Sequence, residues 1–360
     1  MAAPEGGEQE MGHGATAGPV TMRDVADAAG VSLSTVSRVL NNAPSSMTIA
    51  DATRERIQAS ARRLGFTPNP FARALRGAPT MLLGAVVRDF SDPFFAGAIE
   101  ALAAEAHDHG YGIVLGHVQG GGEDDRRAAQ AVLAPGHCDA VLVLGELKDR
   151  PRLREALARV AVPIVALWQG GSPIRFPTVD VDDTTGIPIG LQHLVDLGHR
   201  RIAFVSARLP GDNPTRELAY AEFMDQKLEG VPDGYLQRCD NSLASGEGAL
   251  ETLLRLPHPP TAVACSTDVA AVGVLHGAHS RGVPVPQGIS VVGYDDLMFA
   301  AYTNPALTTL RMPTSEIVAE AVRSAIALAR SRSTSAVRDV HRTLYQPTLV
   351  VRASTAPPSG

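Results

Sequence analysis

Two regimes of hydrophobic patterning divide the chain. From Val20 to Gly77, apolar positions recur at helical spacing in short stretches, and glycines close them. Thr21-Met22-Arg23-Asp24 opens with a hydroxyl residue and an acid three positions on, a capping-box pattern that satisfies free N–H groups at a helix start. Val25, Ala26 and Ala29 give this first helix an apolar face, and Gly30 ends it. Ser32 can cap a second helix from Leu33 to about Asn41, in which Val36, Val39 and Leu40 share one face. Ser34, Ser37, Arg38 and Asn41 share the opposite face, with Leu33 at the edge between them. A small polar face carrying one arginine, just after a tight glycine turn, suits a recognition helix in a major groove. A solvated amphipathic helix in any small bundle has the same pattern. A third helix follows from Asp51 to Leu64, with Ile57, Ala61 and Leu64 inward and Gly65 at its end. Asn69 and Pro70 then supply an N-cap and a first helical position for a very short fourth helix. About two turns of isolated helix are marginal in water, so this segment predicts folding against a partner.

From Thr80 the pattern changes. Met81 to Val87, Tyr111 to Leu115, Ala140 to Leu144 and Pro163 to Leu167 are apolar runs of buried-strand type, separated by helical stretches such as Phe95 to His109. Arg201 to Ser206, Thr261 to Cys265 and Ile289 to Gly293 form a second series. Strand–helix alternation predicts parallel sheets, and two series predict two α/β lobes. In such sheets ligands bind at the carboxyl ends of strands, and the cleft between two lobes is the natural site.

Charge sharpens this division. Residues 20–77 hold eight arginines against four acids, a net of +4 in a chain whose formal charge is −6, so the remainder carries −10. A basic head on an acidic body places phosphate-seeking charge on one module. Residues 1–19, rich in Gly, Ala and Glu without periodicity, predict a disordered tail. That stretch lacks the basic start and apolar core of a signal peptide, and no later run is apolar enough to span a membrane, which predicts a cytoplasmic protein. Cys138, Cys239 and Cys265 fit no zinc spacing and read as packed thiols in a reducing compartment. Gly120-Gly121-Gly122 is followed by Glu123-Asp124-Asp125, which repels phosphate and reads as a surface loop. His107 and His109, two apart on a helix, do not share a face as metal ligands would. Neither a metal nor a cofactor is expected, and no Gly-x-Ser-x-Gly, His-Glu-x-x-His or Walker motif marks a catalytic site.

Thr21-Met22-Arg23-Asp24-Val25-Ala26, Ala29-Gly30-Val31-Ser32 and Thr35-Val36-Ser37-Arg38-Val39-Leu40-Asn41 resemble the head of the lactose-repressor/galactose-repressor (LacI/GalR) family of bacterial transcriptional regulators. Thr53-Arg54, Gly65-Phe66, Pro68-Asn69, Ala72-Arg73 and Leu75 continue the resemblance, while Ala43 to Thr48 make one loop longer than is usual there. Asp92-Pro93-Phe94-Phe95, Gly198-His199-Arg200-Arg201-Ile202, Val291-Val292-Gly293-Tyr294-Asp295-Asp296 and Leu307-Thr308-Thr309-Leu310 resemble the family's effector domain.

The resemblance implies a helix-turn-helix DNA-binding domain at 20–66 and a hinge helix and linker at 67–79. An α/β two-lobed effector domain, like a type I periplasmic binding protein with parallel sheets, would follow. Its N-terminal lobe would take 80–177 and 310–333, its C-terminal lobe 178–309 and 334–352, with a short tail at 353–360. The three crossings between lobes then fall near Pro177, Leu310 and Ser333.

On DNA, the resemblance assigns base reading to Leu33, Ser34 and Arg38. Thr21, Ser32, Thr35, Ser37 and Asn41 would hold phosphates. In the connector it implicates Asn69, Ala72, Arg73 and Leu75, with Leu75 an apolar wedge in the minor groove. Strand ends supply Phe94, Phe95, Trp168, Arg216 and Asp295 as effector-site residues, Arg216 and Asp295 having the added support of the resemblance. Aromatic faces suit the apolar side of a sugar or planar base, and Arg and Asp suit its hydroxyls. Leu167 stands where sugar-responsive members often place Asp, Asn241 where an aromatic platform is frequent, and Thr267 where Asn is frequent. The expected function is a homodimeric repressor that binds palindromic operator DNA under control of a sugar or related metabolite. A ligand-binding protein without a DNA role, and an enzyme using the cleft, are the competing readings.

Overall fold

The computed structural model describes residues 20–40, 49–67, 78–118, 132, 134, 136–147, 150–170, 174–207, 214–331 and 341–359. The chain divides into two compact units, Met1–Ala78 and Pro79–Gly360.

The first unit holds α1 (Met22–Ala29), α2 (Leu33–Leu40) and α3 (Asp51–Leu64). Thr21 and Asp24 make the reciprocal capping box: the Thr21 amide donates to Asp24 Oδ2 at 2.7 Å, and the Asp24 amide donates to Thr21 Oγ1 at 3.4 Å. Gly30 (φ 64°) and Gly65 (φ 67°) take the left-handed conformation that ends α1 and α3. Ser32 Oγ accepts from the Thr35 amide at 3.2 Å, which starts α2. Val25, Ala26, Ala29, Val36, Val39, Ile57 and Ala61 form the core of this unit. Asn41, the loop Ala43 to Thr48 and the connector residues Asn69, Ala72, Arg73 and Leu75 lie outside the described residues, as do the tail 1–19 and the Gly120 to Gly122 loop.

In the second unit the elements run β1 (Leu82–Val87), α4 (Pro93–Asp108), β2 (Gly112–His117), β3 (Ala140–Leu144), α5 (Pro151–Ala158), β4 (Ile164–Leu167) and β5 (Thr178–Val181). They continue as α6 (Asp183–Asp196), β6 (Ile202–Ala207), α7 (Thr215–Lys227), β7 (Leu236–Cys239), α8 (Leu243–Leu254), β8 (Ala262–Cys265) and α9 (Asp268–Ser280). The chain closes with β9 (Ser290–Asp295), β10 (Thr308–Arg311), α10 (Thr314–Ser331), β11 (Arg342–Tyr345) and β12 (Thr348–Val350). Two six-stranded sheets result, ordered β11-β5-β4-β3-β1-β2 and β12-β10-β9-β8-β6-β7. Every pairing is parallel except β12 on β10, a departure from the all-parallel expectation. The chain passes from β11 in the first sheet to β12 in the second across Gln346-Pro347.

The sheets correct the expected lobe limits. β5 begins at Thr178, assigned to the C-terminal lobe, yet pairs with β4 (Leu167 beside Val179), so the first crossing falls at Asp182. The second falls at Met312, between β10 in the second sheet and α10, which packs on α4, β3, β4 and β5 of the first. The third is expected near Ser333, which is outside the described residues. It falls at Gln346-Pro347 instead, because Arg342–Tyr345 pairs with β5 in the first sheet. The short alternating runs of β5 and β11 have too little apolar length to stand out as strands. In the second lobe α8 and α9 meet almost backbone to backbone. A Cβ on Gly246 would lie 2.2 Å from the Ala270 carbonyl, and one on Gly273 would lie 2.1 Å from that of Leu243. Only glycine permits that approach.

Candidate nucleic-acid interface and ligand cleft

On the head, α2 turns Val36 and Val39 into the core and leaves Ser32, Leu33, Ser34 and Arg38 exposed, with Thr35 and Ser37 half-buried. Leu33 is 45% exposed, which nothing in the small core requires. Thr21, Arg23, Leu33, Ser34 and Ser37 line one shallow surface groove with Met22. The hydroxyls of Ser34 and Thr35 each lie 2.8 Å from Ser32 Oγ, at the end of α2 where free N–H groups and the helix dipole favour anions. Arg56 Nε donates to the Ala29 carbonyl at 2.9 Å and fixes α3 against the end of α1. Of the seven described residues expected at DNA, Thr21, Leu33, Ser34 and Ser37 line this groove, Ser32 and Thr35 adjoin it through the hydroxyl contacts with Ser34, and Arg38 is exposed on α2. Burial of Asp24 does not contribute to its low pKa; hydrogen bonds from the Thr21 backbone and hydroxyl hold its carboxyl below the usual range.

In the second unit a cavity of about 120 Å³ lies between the lobes at the carboxyl ends of the strands. It is smaller than the roughly 300–1,000 Å³ of drug-sized ligand pockets. Two hydrogen bonds tie the lobes together at its margin: Asn241 Nδ2 to Asp92 Oδ2 at 3.2 Å, and Thr215 Oγ1 to the Gly170 carbonyl at 2.7 Å. All seven residues expected in the effector site line it: Phe94, Phe95, Trp168, Arg216, Asn241, Thr267 and Asp295. Asp92 caps α4 by accepting from the Phe94 amide at 3.0 Å, and this places both phenyl rings at the cavity wall. Trp168, in a left-handed conformation (φ 55°), stands edge-on to Phe94 at 4.9 Å between ring centroids. Leu167 is in the core beneath it and does not line the cavity.

Arg216 is the electrostatic centre. Its Nε donates to Asp183 Oδ1 at 2.9 Å and its Nη1 to the Ser266 carbonyl at 2.5 Å, while Asp295 Oδ1 lies 3.7 Å away. Its guanidinium stacks on Tyr294, 3.8 Å from the ring centroid, and the Tyr294 hydroxyl donates to Asp183 Oδ1 at 2.8 Å. Burial alone would disfavour its charge; Asp183 and Asp295 more than offset that and hold it firmly protonated. Asp295 (φ 118°) is itself pushed well up by burial, against the pull of Arg216. Thr267 Oγ1 donates to Asn241 Oδ1 at 2.9 Å, so the two positions that depart from the sugar-binding pattern are joined to each other and, through Asn241, to Asp92.

Sequence reasoning missed Arg88, Asp92, Asp180, Asp183 and Glu217, all of which line the cavity. Asp180 is 1% exposed, and burial pushes its carboxyl up to about 6 although Arg342 reaches its Oδ2 at 3.1 Å. Arg238 Nε donates to both Glu217 oxygens, at 2.9 and 3.1 Å, and Ser206 Oγ donates to Oε2 at 3.2 Å. The available signal was an acid inside the run Thr178-Val179-Asp180-Val181, at the end of a strand. Among the described residues no group of three or more His, Cys, Asp or Glu is placed to hold a metal, and no helix is long and apolar enough to cross a membrane.

Residues 21–69 match the family model for bacterial regulatory proteins of the lacI family, and residues 191–355 match that for a periplasmic binding protein-like domain. The chain is 31% identical over 306 residues to the HTH-type transcriptional repressor CytR of Escherichia coli (strain K12), covering 84% of this chain and 87% of the relative. It is also 31% identical over 341 residues to the HTH-type transcriptional regulator GalR of the same strain, covering 94% and 96%. Among solved structures, the lac repressor dimer bound to operator and the anti-inducer ONPF superposes with a TM-score of 0.80 at 27% identity, over 94% of this chain and 99% of that one. These relatives are transcriptional regulators, and with the capped α1–α2 head and the two-lobed body they settle the assignment: the chain belongs to the lacI family of bacterial regulatory proteins.

Proposed function

We propose that the head binds palindromic operator DNA as one half of a homodimer and that a small molecule in the interlobe cavity controls the affinity. The observation that carries this reading is the pairing, in one chain, of an exposed α2 face with a half-buried Arg216 held between Asp183 and Asp295. On the head, Arg38 reads a base edge with Leu33 and Ser34 beside it. Thr21, Ser32, Thr35, Ser37 and Asn41 hold phosphates, the hydroxyls of Ser32, Ser34 and Thr35 clustering where α2 offers its free N–H groups. By family resemblance, Asn69, Ala72, Arg73 and Leu75 add connector contacts, Leu75 entering the minor groove. In the body, Phe94, Phe95 and Trp168 cover an apolar ligand face while Arg216, Asn241, Thr267 and Asp295 meet its polar groups, as a sugar or related metabolite would require.

The protein acts by binding and not by turnover. Among the cavity carboxylates, Asp183 pairs with Arg216, Glu217 with Arg238 and Asp180 with Arg342, an arrangement suited to recognition. The test is selection of duplexes from a random library by the full chain, then titration of the retained duplex with a metabolite panel. A palindromic motif should emerge, and at least one compound should change its affinity. Retention of random sequence alone would overturn the DNA assignment, and chemical conversion of a bound compound would restore the enzyme reading.

A further inference from the structure

The charge lining the cavity constrains what it can hold. Six carboxylates face it, from Asp92, Glu146, Asp180, Asp183, Glu217 and Asp295, against the guanidinium groups of Arg88 and Arg216. Setting aside Asp295, whose carboxyl burial pushes well up, and counting Arg238 and Arg342, which reach Glu217 and Asp180 from the wall, acids still outnumber arginines by five to four. The Arg216 guanidinium is already paired with Asp183 at 2.9 Å, with Asp295 a further 3.7 Å contact. An anionic ligand would enter a small, poorly screened space of like charge.

A second observation is independent of the count. On the first-lobe wall, β4 and β5 pair with Leu167 beside Val179, which sets Trp168 and Asp180 next to each other one residue further on. Both line the cavity and both are more than nine-tenths buried, yet Trp168 Nε1 and Asp180 Oδ1 have no hydrogen-bond partner. Unpartnered buried polar atoms are costly, and an occupant of the cavity that out-competes water would supply their partners. One is a donor only and the other, when ionised, an acceptor only. Their complement is a ligand edge that offers a donor beside an acceptor.

We propose that the cleft takes an uncharged or cationic, donor-rich polyol, an amino sugar or its neutral parent, and excludes phosphorylated and carboxylated analogues, with Asp180 setting that preference. The proposal rests on the reading of this cleft as an effector site. An ammonium or hydroxyl donates to Asp180 Oδ1, a neighbouring oxygen accepts from Trp168 Nε1, and the apolar face of the ring lies on Phe94.

The chain contains a single tryptophan, so indole fluorescence reports this wall alone. Pentoses and hexoses should be titrated into the full-length protein in matched sets, each as the neutral sugar, the 2-amino sugar, the uronic acid and the terminal phosphate. Trp168 fluorescence and thermal shift give the readouts. Within a set that binds, the phosphate and the acid should be at least about tenfold weaker than the parent, as expected for one uncompensated like charge. Asp180→Asn should narrow that gap by about tenfold while the melting temperature certifies the fold. A phosphorylated or carboxylated member that binds more tightly than its parent overturns the proposal, as does silence from every neutral and amino member. If a low-molecular-weight cell extract then still changes operator affinity, the effector function stands and this ligand assignment alone falls.

Discussion

The head and the body place their working side chains in opposite environments. On the head, the described candidates run from Thr21 to Arg38 and sit on the surface of two short helices whose core is built from other residues. In the body, the cavity draws on positions from Arg88 to Met312, and its central group, Arg216, is also a structural tie among buried acids. Function is therefore separable from stability in the head and not in the body. Surface substitutions away from caps and cores usually change stability little, whereas breaking a buried charged network costs several kcal/mol.

Arg216→Ala tests that contrast most strongly. It leaves Asp183 and Asp295 buried without their guanidinium and removes the face stacked on Tyr294. The body should lose about 3–5 kcal/mol, the usual cost of removing one partner from a buried pair. Effector response should vanish, while operator binding at low temperature stays near wild type. Calorimetry resolves the first effect and titration of the labelled operator the second. An unchanged melting temperature would show that Arg216 is functional alone, and the contrast would fail.

The same difference explains what could be read in advance. The head was legible because its signals are local: Thr21 with Asp24, Gly30, Ser32 and the spacing of Val36 and Val39 lie within one or two helical turns of what they specify. The strand–helix alternation made the two lobes legible for the same reason. Phe94, Trp168, Arg216 and Asp295 could be found because each follows a recognisable strand. Asp180 and Asp183 were missed because β5, Thr178-Val179-Asp180-Val181, mixes polar with apolar residues where β4 of the same length is wholly apolar, and its place is fixed by pairing with β4 and β11. The third crossing was misplaced for the same reason: Arg342–Tyr345 alternates between exposed and half-buried positions, and its place in the first sheet depends on partners far away in sequence.

Asp180→Asn asks whether a ligand-facing residue in the body carries a stability cost. Burial raises its carboxyl from 3.8 to about 6, so the folded chain binds the proton more readily than the unfolded chain. Stability should therefore fall as pH rises through the window from about 4 to 6, and the cost should persist above it. A shift of that size corresponds to about 3 kcal/mol, a net figure in which the pull of Arg342 already offsets part of the cost of burial. The variant should melt above wild type at pH 8 and converge with it near pH 4. Parallel curves at all pH values would remove Asp180 from the set of strained cavity residues.

Arg38→Ala should do the reverse, changing recognition without stability. An Arg–guanine pair typically contributes about 1–3 kcal/mol of discrimination, so the motif selected by the variant should lose its preference at one position per half-site. Melting should be unaltered, because Arg38 is exposed on the face of α2 opposite Val36. An unchanged motif would take base reading away from Arg38 and leave it among the phosphate contacts.

Thr21 is where the separation of function and stability in the head is weakest, because it is both a cap and a member of the candidate DNA surface. Its hydroxyl accepts from the Asp24 amide, and its own amide and hydroxyl donate to Asp24 Oδ2 at 2.7 and 2.8 Å. Thr21→Ala removes the hydroxyl half of the capping box and should cost the head about 1 kcal/mol, the central value for an N-cap. The Asp24 carboxyl, held low by hydrogen bonds to Thr21, contributes stability above its unfolded pKa of 3.8, and this is lost as pH falls through its lower folded value. The loss in Thr21→Ala should accordingly be steady at neutral pH and shrink only in strong acid. Amide exchange along α1 measures it without interference from the body. Thr21→Ser keeps the cap and should restore both exchange protection and operator affinity if the hydroxyl serves both. Should Ser restore protection but not affinity, the methyl group touches DNA and the residue has two separable roles.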